Sequence, residues 1–99
     1  MRITAKDQRR IVKTAHQYFD EHAEVYLFGS RVDDSKKGGD IDLYIIPGQK
    51  SSAEQLYDKK VKFLVGLTLA IGDQKIDVII AKDDNRPIEK EAIRTGIKL

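Results

Sequence analysis

Cysteine is absent from the chain. That excludes a disulfide framework and any thiolate metal site, and a reducing, cytoplasmic setting is the matching expectation. No apolar run approaches the roughly 20 residues a membrane-spanning helix needs. The N-terminal stretch MRITAKDQRR has no apolar signal core, so no membrane partner is expected. Acidic and basic residues nearly balance, 16 against 18. The formal net charge is +2, with Lys and Arg scattered along the chain. This is not the basic footprint of a protein that grips a phosphate backbone, and no direct nucleic-acid partner is expected. Internal repeats, low-complexity tracts and linkers are missing. The 99 residues, 40% hydrophobic and 34% charged, suit one domain over residues 1–99, with enough core for a sheet covered by helices.

The elements follow from periodicity and punctuation. Thr4 with Asp7 three residues on marks a helix start. Ile11, Val12, Ala15, Tyr18, Phe19 and His22 then recur at helical spacing, which predicts a helix over 5–22. His16 and His22 lie six apart on it, off the one-turn spacing of a metal pair, and read as surface or boundary residues. The apolar run before Gly29 predicts a strand over 24–28. A second strand is expected over 40–46, stopped by Pro47-Gly48. Ser51 with Glu54 forms a second capping box, opening a helix over 52–71 with Tyr57, Val61, Leu64, Leu67, Thr68 and Ile71 as its stripe. Gly66 weakens that helix slightly, and Gly72-Asp73 closes it. A third strand is predicted over 75–81. Asn85 is expected to cap a last short helix, with Pro87 in its first turn and Gly96 near its end. The fold class is therefore α/β (α+β), a small mixed sheet flanked by helices. The short connection between strands one and two favours antiparallel pairing. The helical connection between strands two and three permits parallel pairing.

The chemistry concentrates in residues 25–46, VYLFGSRVDDSKKGGDIDLYII. Asp40 and Asp42 are separated by one residue at the start of a strand. A period of two puts them on one face, with Ile41, Leu43 and Ile45 on the other. Aspartate is depleted in strands, and two adjacent carboxylates repel, so a bound divalent cation is the natural offset. Asp77 interrupts another apolar strand. If that strand neighbours the second, the three carboxylates converge, since adjacent strands lie about 4.8 Å apart. Oxygen-only donors select hard cations, Mg²⁺ or Mn²⁺. Two such ions can hold a phosphate chain and activate a hydroxyl for in-line displacement. Gly29 lets backbone approach a phosphate, the Ser30 hydroxyl and the following N–H groups can donate to it, and Arg31 stands close enough to neutralise charge. Each has a plain structural alternative: Gly29-Ser30 as a turn and cap, the aspartates as solvated acids. Lys36 and Lys37 read as a solvated loop, and Tyr44, in register with the acids, as core packing.

Gly29-Ser30, nine residues, then Asp40-Ile41-Asp42, with Asp77 on a later strand, resembles the minimal nucleotidyltransferases of the DNA polymerase beta superfamily. The resemblance covers nearly the whole chain, and the tail IEKEAIRTGIKL looks like the family's closing helix. It implies transfer of a nucleoside monophosphate, most often AMP from ATP, to a hydroxyl. Asp40 and Asp42 would bind both metals. Asp77 would bind the catalytic metal and help deprotonate the acceptor. Gly29 and Ser30 would hold the triphosphate, with Arg31 beside them. Larger transferases carry a second domain for the acceptor, whereas almost nothing follows the third strand here, so the acceptor is expected on another chain. The resemblance further implies a small all-helical partner of the HEPN type, in an antitoxin–toxin pair whose transferase AMPylates a tyrosine of the partner. Two other classes stand beside this one: a non-catalytic module that silences its partner by covering it, and a small-molecule transferase acting on an aminoglycoside-type hydroxyl.

Overall fold

The computed structural model describes residues 3–29 and 40–99. Helix α1 (Ala5–Tyr18) leads into strand β1 (Glu24–Phe28), which is followed in sequence by β2 (Ile41–Ile46). Helix α2 (Ala53–Ile71), strand β3 (Ile76–Ile80), helix α3 (Pro87–Thr95) and the two-residue strand β4 (Ile97–Lys98) complete the order. The sheet runs β3-β2-β1-β4. β1 is antiparallel to both β2 and β4, and β2 is parallel to β3, as the connections require. This small mixed α/β arrangement agrees with the expected class.

Alternation along the strands builds two unequal layers. Val25 and Leu27 of β1, Ile41, Leu43 and Ile45 of β2, and Val78 of β3 point to one face. There they meet Ile11, Ala15 and Phe19 from the first helical segment and Phe63 and Leu67 from α2. Phe19 and Phe63 pack with ring centroids 5.5 Å apart and planes tilted by 60°, the geometry an aromatic pair prefers. On the opposite face Phe28 and Tyr44 pack against Ala92 of α3. Helix α1 and α2 approach closely because Gly66 has no side chain: a Cβ there would lie 2.5 Å from Cε2 of Tyr18. The glycine that weakens α2 by propensity thus permits the helix–helix contact.

Several boundaries differ from the sequence expectation, each for a local reason. Thr4 does cap α1, its Oγ1 accepting from Asp7 N at 3.0 Å. The helix stops at Tyr18, however, and His22 lies in the turn beyond it. Asp20 is the cause. Its buried carboxylate accepts from His22 N, and from Gly48 N and Gln49 N in the β2–α2 connection. The capping box of α2 is Ser52 with Gln55, not Ser51 with Glu54. Ser51 instead accepts from Lys59 Nζ at 3.0 Å. Within α2 the buried side chains are Phe63 and Leu67, whereas Tyr57 and Val61, expected in the stripe, are 70% and 43% exposed. From Phe63 to Ile71 the helix is nearly apolar all round, so periodicity there does not choose a face. The N-cap of α3 is Arg86 rather than Asn85, whose N–H donates to Asp83 Oδ1 at 3.0 Å. β4 was not expected, two residues being too short for a pattern.

Asp20 ties the end of the first helical segment to the β2–α2 connection through charge-assisted bonds to main-chain donors. Replacing it by Ala leaves those donors unpaired. Asp20→Ala is expected to lower unfolding free energy by about 2 kcal/mol, measured by urea denaturation.

Candidate active site

The site starts from the register of three strands. Asp42 lies opposite Phe28 on β1, immediately before Gly29, and opposite Asp77 on β3. Partners in register point to the same face, so Asp42 and Asp77 stand side by side. Asp40, just before β2, falls in the same alternation. This face is the one α3 covers; α3 packs on Tyr44, two residues further along β2, and on Phe28, which lies opposite Asp42 on β1, while the acids sit at the starting ends of β2 and β3. Asp77 is exposed, while Asp40 and Asp42 are half-buried.

The electrostatics reflect this crowding. The Asp42 carboxyl is pushed above the usual aspartate range, first by burial and then by the charges of Asp77 and Asp40. Asp40 has its own counter-charge, Lys75 Nζ lying 3.6 Å from its Oδ2. Gly29 flanks Asp42 from β1, with φ of +78°. That dihedral is costly for any other residue, and an added Cβ would overlap the Asp42 carboxylate. The bare backbone is what keeps this oxygen clear.

A family model described as Polymerase beta, Nucleotidyltransferase matches residues 9–99. The chain belongs to this nucleotidyltransferase family. The comparison with individual curated proteins returns no match. Nucleotidyltransferases of the family generally use divalent metals and act on nucleoside triphosphates. The donor set here fits such an ion by its chemistry: carboxylates without His or Cys, one of them raised by burial and then by neighbouring carboxylates whose repulsion a cation would relieve, and a glycine that leaves its oxygen open. As placed, no group of three His, Cys, Asp or Glu among the described residues encloses a metal ion. Asp40 is turned to Lys75 and Asp77 to solvent. Ser30 and Arg31, with Lys36 and Lys37, lie outside the described residues.

Sequence reasoning missed the group that seats α3 beside this candidate site. Tyr44 is buried as expected of core packing, and its hydroxyl donates to Glu89 Oε1 at 2.8 Å. Glu89, 1% exposed, also accepts from Lys82 N and Asp83 N. Arg86 Nε lies 2.9 Å from its Oε2. Burial alone would raise the Glu89 carboxyl. The main-chain donors, Tyr44 and Arg86 outweigh it and hold the group below the usual glutamate range. Burial of the ring, and then the same carboxylate, push the Tyr44 phenol well up. A glutamate within a charged helical stretch gives no sign of this in one dimension.

Two outcomes follow for the candidate site and its support. Asp42→Asn removes part of the carboxylate repulsion. It is expected to stabilise the metal-free protein by up to about 1 kcal/mol, kept small by solvent screening. Mg²⁺ should raise the Tm of the parent protein and leave that of Asp42→Asn nearly unchanged, measured by thermal denaturation. Glu89 behaves in the opposite sense with pH. Its folded pKa is depressed, so its contribution is complete above the ordinary glutamate value and is lost as pH falls through the folded one. Glu89→Gln is expected to cost about 2 kcal/mol at neutral pH, and the gap between the two proteins should close on acidification, followed by urea midpoints across pH.

Proposed function

We propose that the chain is an Mg²⁺-dependent nucleotidyltransferase that moves AMP from ATP onto a protein hydroxyl, a tyrosine of a small helical HEPN-type partner, as the antitoxin of a toxin–antitoxin pair. The observation that carries the transfer reading is the register of Asp42 against Asp77, beside Gly29, at the open end of the sheet. The acceptor and the antitoxin role rest on the resemblance of Gly29-Ser30, Asp40-Ile41-Asp42 and Asp77 to the minimal transferases.

In this reading the acceptor oxygen attacks the α-phosphorus, the bond to the bridging oxygen breaks, and pyrophosphate leaves with that electron pair. Asp77, the most open of the three acids, accepts the hydroxyl proton. Asp40, Asp42 and Asp77 would hold Mg²⁺, or Mn²⁺, in two sites. Bound there, the ions supply charge neutralisation of the triphosphate and a more acidic acceptor hydroxyl. Gly29, Ser30 and Arg31 would bind the triphosphate through backbone N–H groups, a hydroxyl and a guanidinium. Exposure of Asp77 leaves room for an incoming side chain, and Asp42, half-buried, keeps its carboxylate against Gly29.

A second reading has an observation of its own. Asp40 faces Lys75, and the acids do not enclose an ion as placed. A module that neutralises its partner by covering it needs neither arrangement nor turnover.

Incubation with α-labelled ATP, Mg²⁺ and the HEPN-type protein is expected to label the partner on tyrosine. Asp77→Asn should slow labelling about a hundredfold or more, the scale of a lost general base. Asp40→Asn with Asp42→Asn should abolish both labelling and protection from the partner's toxicity. Protection that survives this double substitution would select the covering module.

A further inference from the structure

β3 is an edge strand: in the order β3-β2-β1-β4 only β2 lies beside it. Its hydrogen-bonding phase is fixed at both ends. Ile41 N donates to Lys75 O, and Ala81 N donates to Ile45 O, at 2.9 and 2.8 Å. Residues with odd numbers therefore turn their main chain to β2, and strand alternation turns that of Ile76, Val78 and Ile80 outward. Among the described residues none pairs with these outward groups. Such an edge is a template for another strand.

A cavity of about 810 Å³ lies along the second half of this edge. Val78 and Ile80 from one face of β3 and Ile79 and Ala81 from the other all line it, so it wraps round the strand. Lys50, Lys60 and Lys82 surround it together with Arg86, and among the described residues no carboxylate lines it. Arg86 is already engaged by Glu89. Among the described residues none of the three lysines is paired with a carboxylate. The exposed ring of Tyr57 and the side chain of Leu56 give the groove an apolar wall on α2.

We infer that this groove is a docking site for an extended, acidic segment of a partner protein, which adds to β3 as a fifth strand. The outward N–H and C=O groups recur at the peptide spacing, which a second peptide matches and a sugar–phosphate chain does not. Carboxylates on the added strand meet Lys50, Lys60 and Lys82, and its apolar residues meet Leu56 and Tyr57. The edge supplies affinity and the lysines select acidic over basic segments. The binding stands independently of the transfer reaction. If the transfer reading is right as well, the same added strand would pass Asp77, about 4.8 Å from β3, and bring a partner side chain to the acids.

The test uses the full chain and a fluorescein-labelled short peptide alternating Glu and Val, followed by fluorescence anisotropy at low and moderate salt. The expected result is saturable binding that weakens about tenfold when alternate residues of the peptide carry N-methyl groups on the strand-facing edge, the scale of losing two main-chain hydrogen bonds. N-methylation of the intervening residues should leave affinity unchanged. A Lys/Val peptide should not bind, and Lys60→Glu with Lys82→Glu should weaken the Glu/Val peptide while circular dichroism shows the fold retained. Equal binding of both N-methylated peptides, absence of binding, or tighter binding of a short single-stranded RNA would overturn the inference. None of these readings depends on nucleotide transfer, so its failure and that of the transfer reading are told apart.

Discussion

Like charges held side by side are the constraint on which this molecule turns. β2 and β3 run parallel with Asp42 opposite Asp77, and Asp40 follows the same alternation one step outward. In water the three carboxylates would separate. Here the hydrogen-bond ladder fixes their main chains at the spacing of neighbouring strands, and burial of Asp42 removes part of the screening that would ease the repulsion. Nucleotidyltransferases of the family to which the chain belongs generally use divalent metals, and concentrated carboxylate charge of this kind suits such an ion.

The rest of the fold holds the strands that carry these acids and supplies one counter-charge, Lys75 beside Asp40. The inner face of the sheet is closed by α1 and α2 over an apolar core. The outer face is closed only in part, by α3, whose Glu89 collects the Tyr44 hydroxyl, two main-chain N–H groups and the Arg86 guanidinium. A buried carboxylate is costly unless every oxygen is engaged, and Glu89 meets that condition. Among the described residues no such donor set meets Asp42, half-buried at the start of β2. Two carboxylates on this side of the sheet thus shift in opposite directions: Asp42 of β2 is raised by partial burial and then by like charge, while Glu89 of α3, docked on Tyr44, is lowered by the donors around it.

The two ends of β3 are complementary in sign. Asp77 lies at its beginning, and the lysine-lined groove surrounds its outer edge toward the end. A strand left unpaired is usually blunted by charge, coverage or shortness. β3 is short, five residues, and has Lys75 and Lys82 on either side, which discourages self-pairing between like-charged copies while leaving the edge attractive to an acidic segment.

Much of this was legible in one dimension. Alternation in IDLYII and IDVII, the glycine before a polar stretch and the turn at Pro47-Gly48 determined the strands, the face of each aspartate and the family to which the motif points, because side-chain direction in a strand follows from sequence parity alone. Tertiary structure decided the rest. It chose which apolar side of α2 is buried, since Phe63 and Leu67 face the sheet while Tyr57 and Val61 do not. It stopped α1 early through Asp20, whose partners at Gly48 and Gln49 are distant in sequence. It set Asp77 opposite Asp42 rather than one residue away, and it buried Glu89 under Tyr44. Each of these depends on contacts between segments far apart along the chain, and a local pattern carries no information about which distant group will fill a given hydrogen bond or hydrophobic face.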